Sequence, residues 1–341
     1  MQETQSMTET TIGVIGAGAW GTALAIHLAK LHPQINLWAR NPEALEKIIS
    51  DRENKRYLPG ATLPDNIVPC SDLAALISSC THVLVAVPST TMRDMMQRIN
   101  SHASDKLRGV IWACKGLEQN TGKFLHQVAE EELTVNINTV ILSGPSFARE
   151  VGKGLPTAVT IASVNEAFSK EVAELFHHPL FRTYISTDVT GVEIGGTFKN
   201  ILAIAVGIID GLQFGANARA ALITRGVAEM TRFGKRLGVN TDTFSGLSGI
   251  GDIVLTCTEN MSRNRRFGLG IGAGKSLHEV EQEIGQVIEG KYAAKVVYDL
   301  SQKLDIELPI STQVYDVLYN NKPARDAVEE LLARSLKNEA D

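Results

Sequence analysis

The stretch that decides the fold is TIGVIGAGAWGTALA, residues 11–25. Its apolar start predicts a short buried strand, and Gly16, Gly18 and Gly21 follow in the spacing G-x-G-x-x-G at the mouth of a helix. The first glycine permits a tight turn, the second lets the backbone approach a pyrophosphate, and the third lets the helix pack closely on the strand. Free N–H groups at the helix N-terminus favour an anion. The stretch predicts a dinucleotide site, with a glycine turn that binds no ligand as the alternative.

The chain continues with six further β-branched runs, at 35–39, 82–88, 109–114, 138–145, 158–163 and 181–186. Helical patterns such as 42–50 and 165–177 separate them, and this alternation indicates parallel β-α-β units. After about Thr187 the strands stop, and Asp188 is a candidate N-cap. Long helical segments follow, such as 217–237, closed by Gly238, and 324–336. We therefore expect an α/β Rossmann-type domain over 11–187 and an all-α substrate-binding and catalytic domain over 188–341.

Composition restricts the classes of partner. A chain of 341 residues with a net charge of −5 gives no electrostatic reason to expect nucleic acid or an anionic membrane. The opening MQETQSMTET lacks the apolar region of a signal peptide, and the run 201–209 is too short to span a bilayer, so we expect no stable membrane insertion. The four scattered cysteines show no metal-ligand spacing. They indicate reduced thiols in a cytoplasmic protein without a bound metal.

Arg40 bears on the choice of cofactor. NAD-binding proteins of this kind usually carry an acidic residue about 20 positions after the glycine loop, where it binds the ribose 2′-hydroxyl. This chain has Trp38-Ala39-Arg40-Asn41 there. Arginine suits a 2′-phosphate, so the sequence favours NADP, with NAD as a second cofactor. The alternatives for Arg40 are stacking on adenine or a place in a solvated loop.

Lys199 stands out in EIGGTFKNILAIAVGIIDGL, residues 193–212, where it is the only positive charge. A lysine among apolar residues commonly buries its methylene groups and extends its ammonium group to water, which is the first interpretation. The alternative is an acid that works in a cleft.

Three other stretches follow strands or lie in glycine-rich segments, where α/β proteins place their sites, and a fourth, basic stretch comes after the last of them. WACKGLE (112–118) presents Lys115 and SGPSFARE (143–150) presents Ser146. SGLSGIGDIVLTC (245–257) puts Asp252 in an expected flexible loop, and NMSRNRRFG (260–268) follows it. Taken singly, these are typical of an exposed lysine, a proline-containing turn and a solvated helix end.

The NMSRNRRFG stretch holds the densest basic cluster of the chain. A regular helix cannot direct three consecutive side chains the same way, so we expect a turn or a helix N-terminus here. Arg263 should then point inward, with at least one of Arg265 and Arg266 in solvent. A different glycine-rich stretch, GIGAGKS at 270–276, ends like a phosphate-binding loop but has Leu269 at the required first glycine and no preceding strand. We interpret it as a loop between helices.

Together these stretches resemble the bacterial NAD(P)-dependent glycerol-3-phosphate dehydrogenases. The matching segments are GAGAWGTALA, ACKGLE, SGPSFA, TFKN, SGIGD, SRNRRFG and VIEG, in that order. Each is short, and their order and spacing make the match specific. The resemblance implies interconversion of sn-glycerol 3-phosphate and dihydroxyacetone phosphate by hydride transfer, and a supply of glycerol 3-phosphate for phospholipid synthesis.

The resemblance also implies residue roles. Lys199 would be the catalytic acid/base. The substrate, a small phosphorylated three-carbon compound, would contact Lys115, Gly144, Ser146, Asp252, Ser262, Arg263 and Asn264. The cofactor would contact Gly16, Gly18, Ala19, Trp20, Gly21, Arg40, Lys115, Ala148, Arg263, Val287 and Glu289. Ala19 stands where many relatives have serine, which removes one hydroxyl contact and keeps the backbone N–H.

Two rival functions remain open at this stage. One is a related two-domain dehydrogenase that acts on another hydroxy acid or sugar acid. The other is a regulatory protein that senses NADPH without turnover, although sensing needs no acid in the cleft. The sequence does not give the oligomeric state, and a homodimer is left open.

Overall fold

The computed structural model of the protein describes residues 10–134 and 137–335. One eight-stranded sheet forms the N-terminal part, with strand order β3-β2-β1-β4-β5-β6-β7-β8. Its strands are β1 (Ile12–Ile15), β2 (Ile35–Trp38), β3 (Ile67–Cys70), β4 (His82–Val85), β5 (Gly109–Trp112), β6 (Asn138–Ser143), β7 (Thr157–Ala162) and β8 (Phe181–Ser186). The order 3-2-1-4-5-6 is that of a doubly wound Rossmann sheet.

Helices cover both faces of the sheet and make up the C-terminal part. Those of the first part are α1 (Ala19–Leu28), α2 (Pro42–Asp51), α3 (Leu73–Ser79), α4 (Met92–His102), α5 (Leu125–Glu132), α6 (Ala148–Gly152) and α7 (Glu166–Phe176). Those of the second part are α8 (Val189–Gly211), α9 (Gly215–Arg236), α10 (Asp252–Thr258), α11 (Arg263–Gly272), α12 (Leu277–Ile284), α13 (Glu289–Leu304), α14 (Pro309–Tyr319) and α15 (Ala324–Leu332). The expected fold class, a Rossmann-type part followed by a helical part, is confirmed.

The sheet differs from the sequence prediction in two places. Strand β3 is absent from the predicted strands, and it contains Pro69, a residue that is uncommon within strands. Proline is tolerated there because β3 is an edge strand. On its open side no neighbouring strand needs a hydrogen bond from the N–H that proline lacks. The expectation of uniformly parallel pairing is also wrong at one point, since β7 runs antiparallel to β6. The short helix α6 between them is too small for the crossover that a parallel pair requires.

Helix α8 is the central element of the second part. Asp188 caps it as expected, with its carboxylate accepting a hydrogen bond from the Gly191 N–H at 2.9 Å. By length and composition α8 could cross a membrane, but 94% of its most apolar window is buried inside the protein. The prediction of a core helix in a folded protein is therefore confirmed. Burial of Ile201, Ile204 and Ile208 among other apolar side chains explains why this region folds around α8.

Two glycines on α8 and two on α11 bring these helices into direct contact. A Cβ at Gly207 would lie 2.2 Å from the Arg265 carbonyl oxygen, and one at Gly268 would lie 2.0 Å from the Ile204 carbonyl oxygen. Gly211 and Gly272 repeat the arrangement one turn further along. The backbones touch because no side chain separates them. The position of α11 relative to α8 is therefore fixed by main-chain contact.

Some helix ends differ from expectation. Helix α9 begins at Gly215, two residues before the predicted start, and ends at Arg236 ahead of Gly238, which has a φ of +74°. Helix α15 ends at Leu332, so the predicted extension toward residue 336 is too long, and Leu336 itself lies outside the described residues. The decapeptide considered for a signal sequence lies outside them too, except for Thr10.

Candidate active site

The glycine loop has the geometry that a dinucleotide requires. Gly16 has a φ of +113°, and a Cβ there would lie 2.6 Å from the Ala86 carbonyl oxygen. A Cβ at Gly21 would lie 1.9 Å from the Gly16 carbonyl oxygen, which shows how closely α1 packs on the turn. A Cβ at Gly18, by contrast, would meet no atom within 4 Å. The turn and the packing exclude side chains, and the space beside Gly18 is open, so the residues present fit a pyrophosphate.

Trp20 and Arg40 border the same loop. The indole N–H of Trp20 is buried and meets no acceptor anywhere in the described ranges. Arg40 follows β2, and its side chain is exposed without an acidic partner in the part of the chain that the structure describes. A free guanidinium at this position is compatible with a 2′-phosphate. Ala19 and Ala148 begin α1 and α6, whose N-terminal ends face the same edge of the sheet.

The centre of the site is one carboxylate between two lysines. Lys199 Nζ lies 2.9 Å from Asp252 Oδ1, and Lys115 Nζ lies 2.6 Å from Asp252 Oδ2. Asp252 is fully buried, while the side chains of Lys115 and Lys199 are 9% and 13% exposed. Lys199 therefore does not extend its charge to open water. The interpretation of Lys199 as a lysine that merely reaches solvent is wrong, because its ammonium is held by a buried partner.

Gly195 on α8 lets the segment that precedes Asp252 approach the helix closely. A Cβ at Gly195 would lie 2.2 Å from the Ser248 carbonyl oxygen, so the 246–251 segment rests directly on α8. The expectation of a flexible loop around Asp252 is wrong: residues Leu247–Gly251 form a wide helical turn, and Asp252 is the first residue of α10. The contact with Gly195 requires this turn to pack tightly, which places the carboxylate in the interior.

Burial and charge perturb the titration of this cluster. Burial lowers the pKa of Lys115 to about 8, against the attraction of Asp252 and together with the repulsion of Lys199. Burial alone would raise the pKa of Asp252, but the two ammonium groups outweigh it and hold that pKa below its usual value. The carboxylate is thus ionised at neutral pH. Perturbed groups of this kind, gathered beside a cofactor loop, are typical of a catalytic centre.

The segment after β6 lies beside Lys115. The Gly144 carbonyl oxygen accepts a hydrogen bond from Lys115 Nζ and another from the Ser146 hydroxyl, both at 2.9 Å. Gly144 has a φ of +133°, a conformation that side chains disfavour. This turn directs the carbonyl toward the lysine. Gly144, Ser146 and Lys115, which the family resemblance assigns to one site, are therefore neighbours in the structure.

The arginine cluster is arranged differently from the prediction. Ser262 caps α11, its hydroxyl accepting from the Arg265 N–H at 3.2 Å, so the expected helix N-terminus is present. Arg266 is exposed, also as expected. However, Arg263 is exposed and donates to Gln286 Oε1 at 3.0 Å, whereas Arg265 is the buried arginine. The expectation that Arg263 points into the protein is wrong: Ser262 and Asn264 on either side of it are buried, and the Arg263 side chain lies on the exposed face of this helix end.

Arg265 serves to hold the helices together. Its guanidinium donates to Asp210 Oδ2 at 2.5 Å, to the Cys257 carbonyl oxygen at 2.9 Å and to the Asn260 side chain. Asp210 is held a second time by Arg219. The contacts join the end of α8, the end of α10 and the start of α11. They fix the approach of the Ser262-Arg263-Asn264 segment to the site.

Asn264 links α11 to its neighbours through both ends of its amide. Its Nδ2 donates to Asn200 Oδ1 at 2.8 Å, and its Oδ1 accepts from the Gly290 N–H at 3.0 Å. Glu289 precedes Gly290 and begins α13. Burial raises the pKa of Glu289, and the positive charges of Arg263, Lys199 and Lys115 oppose that rise. Val287, two residues earlier, is 42% exposed at the rim.

Two residues of the site were missed by sequence reasoning. The Thr256 hydroxyl lies 3.3 Å from Lys199 Nζ and 3.2 Å from Asp252 Oδ1. Asn200, next to Lys199, is buried and holds Asn264. The four-residue spacing from Asp252 to Thr256 on one helix was the available signal. For GIGAGKS, residues 270–272 complete α11 and Ser276 caps α12, so only 273–276 form the inter-helix connection.

Comparison with known proteins places this geometry in a family. Models described as the N-terminus and the C-terminus of NAD-dependent glycerol-3-phosphate dehydrogenase match residues 11–169 and 188–329. Proteins called glycerol-3-phosphate dehydrogenase [NAD(P)+] from Thioalkalivibrio sulfidiphilus and Shewanella halifaxensis are 49% and 46% identical, over 98% and 96% of this chain and 100% and 97% of theirs. A crystal structure of glycerol-3-phosphate dehydrogenase from Coxiella burnetii superimposes with a TM-score of 0.92 at 44% identity, over 96% of this chain and 99% of that one. The chain belongs to the NAD-dependent glycerol-3-phosphate dehydrogenase family.

Proposed function

We propose that this protein is a glycerol-3-phosphate dehydrogenase that interconverts sn-glycerol 3-phosphate and dihydroxyacetone phosphate with NADP or NAD. The observation that carries the proposal is the buried Asp252 carboxylate, held between the ammonium groups of Lys115 and Lys199. Membership of the family supports the same reaction. A protein that only senses NADPH would not need an acid such as Lys199 in the cleft. A related dehydrogenase of another hydroxy acid differs in not requiring a phosphate on its substrate.

Lys199 acts as the general acid in ketone reduction. The nicotinamide cofactor, when bound, supplies the hydride that reaches the carbonyl carbon. As the carbonyl oxygen gains negative charge, the Lys199 ammonium stabilises it and transfers one proton, leaving a neutral amine and a hydroxyl group. In the reverse direction the neutral amine accepts the proton from the alcohol. Asp252 and Thr256 hold Lys199 Nζ in place from 2.9 and 3.3 Å.

The substrate phosphate requires positive charge at the other end of the site. Arg263 is exposed, and its guanidinium, which donates to Gln286, can turn toward an anion. A guanidinium binds phosphate through two parallel hydrogen bonds. Lys115 adds a second cation, while Ser146 and the Ser262-Arg263-Asn264 segment contribute polar groups near it. These contacts distinguish a phosphorylated substrate from an unphosphorylated hydroxy acid.

The cofactor contacts the glycine loop through Gly16, Gly18, Ala19, Trp20 and Gly21. Arg40 binds the 2′-phosphate of NADP, and its exposed side chain without an acidic partner in the described ranges supports this choice over NAD. Lys115, Ala148, Arg263, Val287 and Glu289 complete the cofactor site. The division between the cofactor-binding and the substrate-binding domain falls between residues 187 and 188, where the sheet ends and Asp188 caps α8.

In the cell, the protein works in the cytoplasm and supplies glycerol 3-phosphate for phospholipid synthesis. The four cysteines all carry free thiols, which supports a reducing compartment. A homodimer is the oligomeric state that we propose to test by light scattering. Rescue of a glycerol-requiring bacterial strain by this chain, with loss of rescue on Lys199→Ala, would support the cellular role.

One assay tests the proposed activity directly. Purified protein is mixed with NADPH and dihydroxyacetone phosphate, and the loss of NADPH absorbance is followed. We expect oxidation with this substrate and little with unphosphorylated keto acids. Equal or greater rates with a keto acid would favour the rival dehydrogenase, and NADPH binding without oxidation of any substrate would favour a sensor.

A further inference from the structure

Asn54 lies outside the residues assigned above, yet it contacts the glycine loop. It follows α2 in the 51–66 connection and is only 2% exposed. Its side-chain Nδ2 donates to the Ala17 carbonyl oxygen at 2.8 Å and to the Thr22 hydroxyl at 2.8 Å. Ala17 lies between the first two glycines of the loop and Thr22 lies on α1. One amide group thus ties the loop to the helix that follows it.

The contact with Ala17 fixes the direction of a backbone N–H. In a trans peptide the carbonyl oxygen of Ala17 and the N–H of Gly18 point in opposite directions. Because Asn54 holds the oxygen, the N–H must point away from the 51–66 connection. That N–H has no acceptor in the ranges 10–134 and 137–335, and the space beside the Gly18 Cα is open. The peptide therefore offers a free donor next to the position that fits a pyrophosphate.

We propose that Asn54 is a cofactor-positioning residue, whose amide sets the Ala17–Gly18 peptide so that the Gly18 N–H donates to the cofactor pyrophosphate. The inference rests on the cofactor site of the proposed function. Asn54 does not contact the cofactor in this proposal and acts through the peptide alone.

The side chain of Asn54 is itself held rigidly. Its Oδ1 accepts from the Tyr57 N–H at 3.3 Å, and its backbone oxygen accepts from the Leu58 N–H at 2.8 Å. A side-chain amide has two N–H groups, and those of Asn54 donate to the Ala17 carbonyl oxygen and to the Thr22 hydroxyl. The amide orientation is thus determined by its partners. A carboxylate of the same shape could keep the Tyr57 contact but could not donate to Ala17.

The test compares Asn54→Asp and Asn54→Ala with a matched control, Asn66→Ala. Asn66 lies at the other end of the same connection, and its Nδ2 donates to the Ala29 and His32 carbonyl oxygens at 2.7 and 2.9 Å. It therefore makes the same type of contact with the far end of α1. NADPH binding is titrated by fluorescence without substrate, and 2′-AMP, which has no pyrophosphate, is titrated by calorimetry.

We expect Asn54→Asp and Asn54→Ala each to weaken NADPH binding by about tenfold, the effect of losing roughly one hydrogen bond, and to change 2′-AMP binding by less than about twofold. Asn66→Ala should leave both affinities within about twofold of the parent. Unchanged NADPH affinity in a folded Asn54 variant, or an equal loss for the two ligands, would overturn the proposal. If Asn54→Ala fails to fold, the near-isosteric Asn54→Asp decides. Failure of the parent protein to bind NADPH would instead contradict the proposed function.

Discussion

Lys199 Nζ lies 2.9 Å from Asp252 Oδ1, although 53 residues separate the two along the chain. The contact joins the middle of α8 to the first residue of α10, and it is made inside the protein. Burying an ammonium group without a partner would cost roughly several kcal/mol of free energy, or the group would lose its proton. Asp252 supplies Lys199 with a buried partner of opposite charge.

Lys199→Ala should lower kcat by at least about a hundredfold, because a general acid and the charge that stabilises the developing oxyanion are lost together. The control is Lys322→Ala, which removes a lysine of comparable exposure, 19%, that pairs with Glu330. Steady-state kinetics with dihydroxyacetone phosphate give the result, and thermal unfolding shows whether the variants fold alike. A kcat within threefold of the parent would leave Lys199 without a catalytic role.

The pH dependence should reflect Lys115. Its pKa of about 8, lowered by burial, means that its positive charge is lost as pH rises through 8, well before an ordinary lysine loses it. If Lys115 binds the anionic substrate as a cation, kcat/KM should fall above pH about 8, mainly through a rise in KM.

Asp252→Asn should move this fall to lower pH, because the carboxylate attracts the Lys115 proton and its removal leaves Lys199 repelling it. The pH profile of kcat/KM for the parent and the variant measures the shift. A shift to higher pH, or two superimposable profiles, would show that Lys115 does not control the alkaline limb.

Arg40→Asp should shift preference from NADP toward NAD, since a carboxylate repels a 2′-phosphate and accepts from a 2′-hydroxyl. The ratio of kcat/KM for the two cofactors is the measurement. Arg182→Asp makes the same charge change on β8, at the opposite edge of the sheet, and should leave the ratio unchanged. An unaltered ratio for Arg40→Asp would place Arg40 outside the ribose site.

Arg263→Ala should raise KM for dihydroxyacetone phosphate about tenfold or more, because a charge-assisted hydrogen bond to phosphate contributes roughly 1.5–3 kcal/mol. Arg266→Ala is the matched control, since both arginines are exposed and lie on the first turn of α11. Activity with unphosphorylated dihydroxyacetone should be nearly unaffected by either change. Equal proportional losses on both substrates would remove Arg263 from phosphate recognition.

Gly207→Ala should destabilise the protein by about 1–3 kcal/mol, because the new Cβ would overlap backbone atoms. That Cβ would lie 2.2 Å from the Arg265 carbonyl oxygen and 2.7 Å from the Leu269 nitrogen. Gly226→Ala is the comparison: the atoms nearest to its Cβ would belong to the Leu202 side chain, the first at 2.3 Å, and this side chain can rotate away. Urea unfolding should show the larger loss for Gly207→Ala, and equal losses would mean that the α8–α11 contact is not limiting.

The active-site residues show what neighbouring sequence could and could not predict. The family resemblance implied that Lys115, Gly144 and Asp252 belong to one site, and the structure brings Lys115 to both others. The prediction that Asp252 lies in a flexible loop is wrong. It follows from the glycine-rich segment before Asp252, since such a segment, taken by itself, is typical of a mobile loop. Contact with Gly195 on α8 packs it instead. Likewise, Arg265 rather than Arg263 is the buried arginine, because its guanidinium pairs with Asp210.

By itself, the sequence determined the elements whose signal is local. The glycine spacing after β1, the apolar length of α8 and the Asp188 cap depend on residues within a few positions of each other, so their geometry follows from short-range sterics and hydrogen bonding. Only the tertiary structure decided that β3 forms at an edge despite Pro69, that β7 pairs antiparallel with β6, and that one carboxylate joins two lysines. Each of these features depends on which distant surfaces pack together. Side chains become buried only through that packing, and burial then fixes their hydrogen-bond partners and shifts their pKa values.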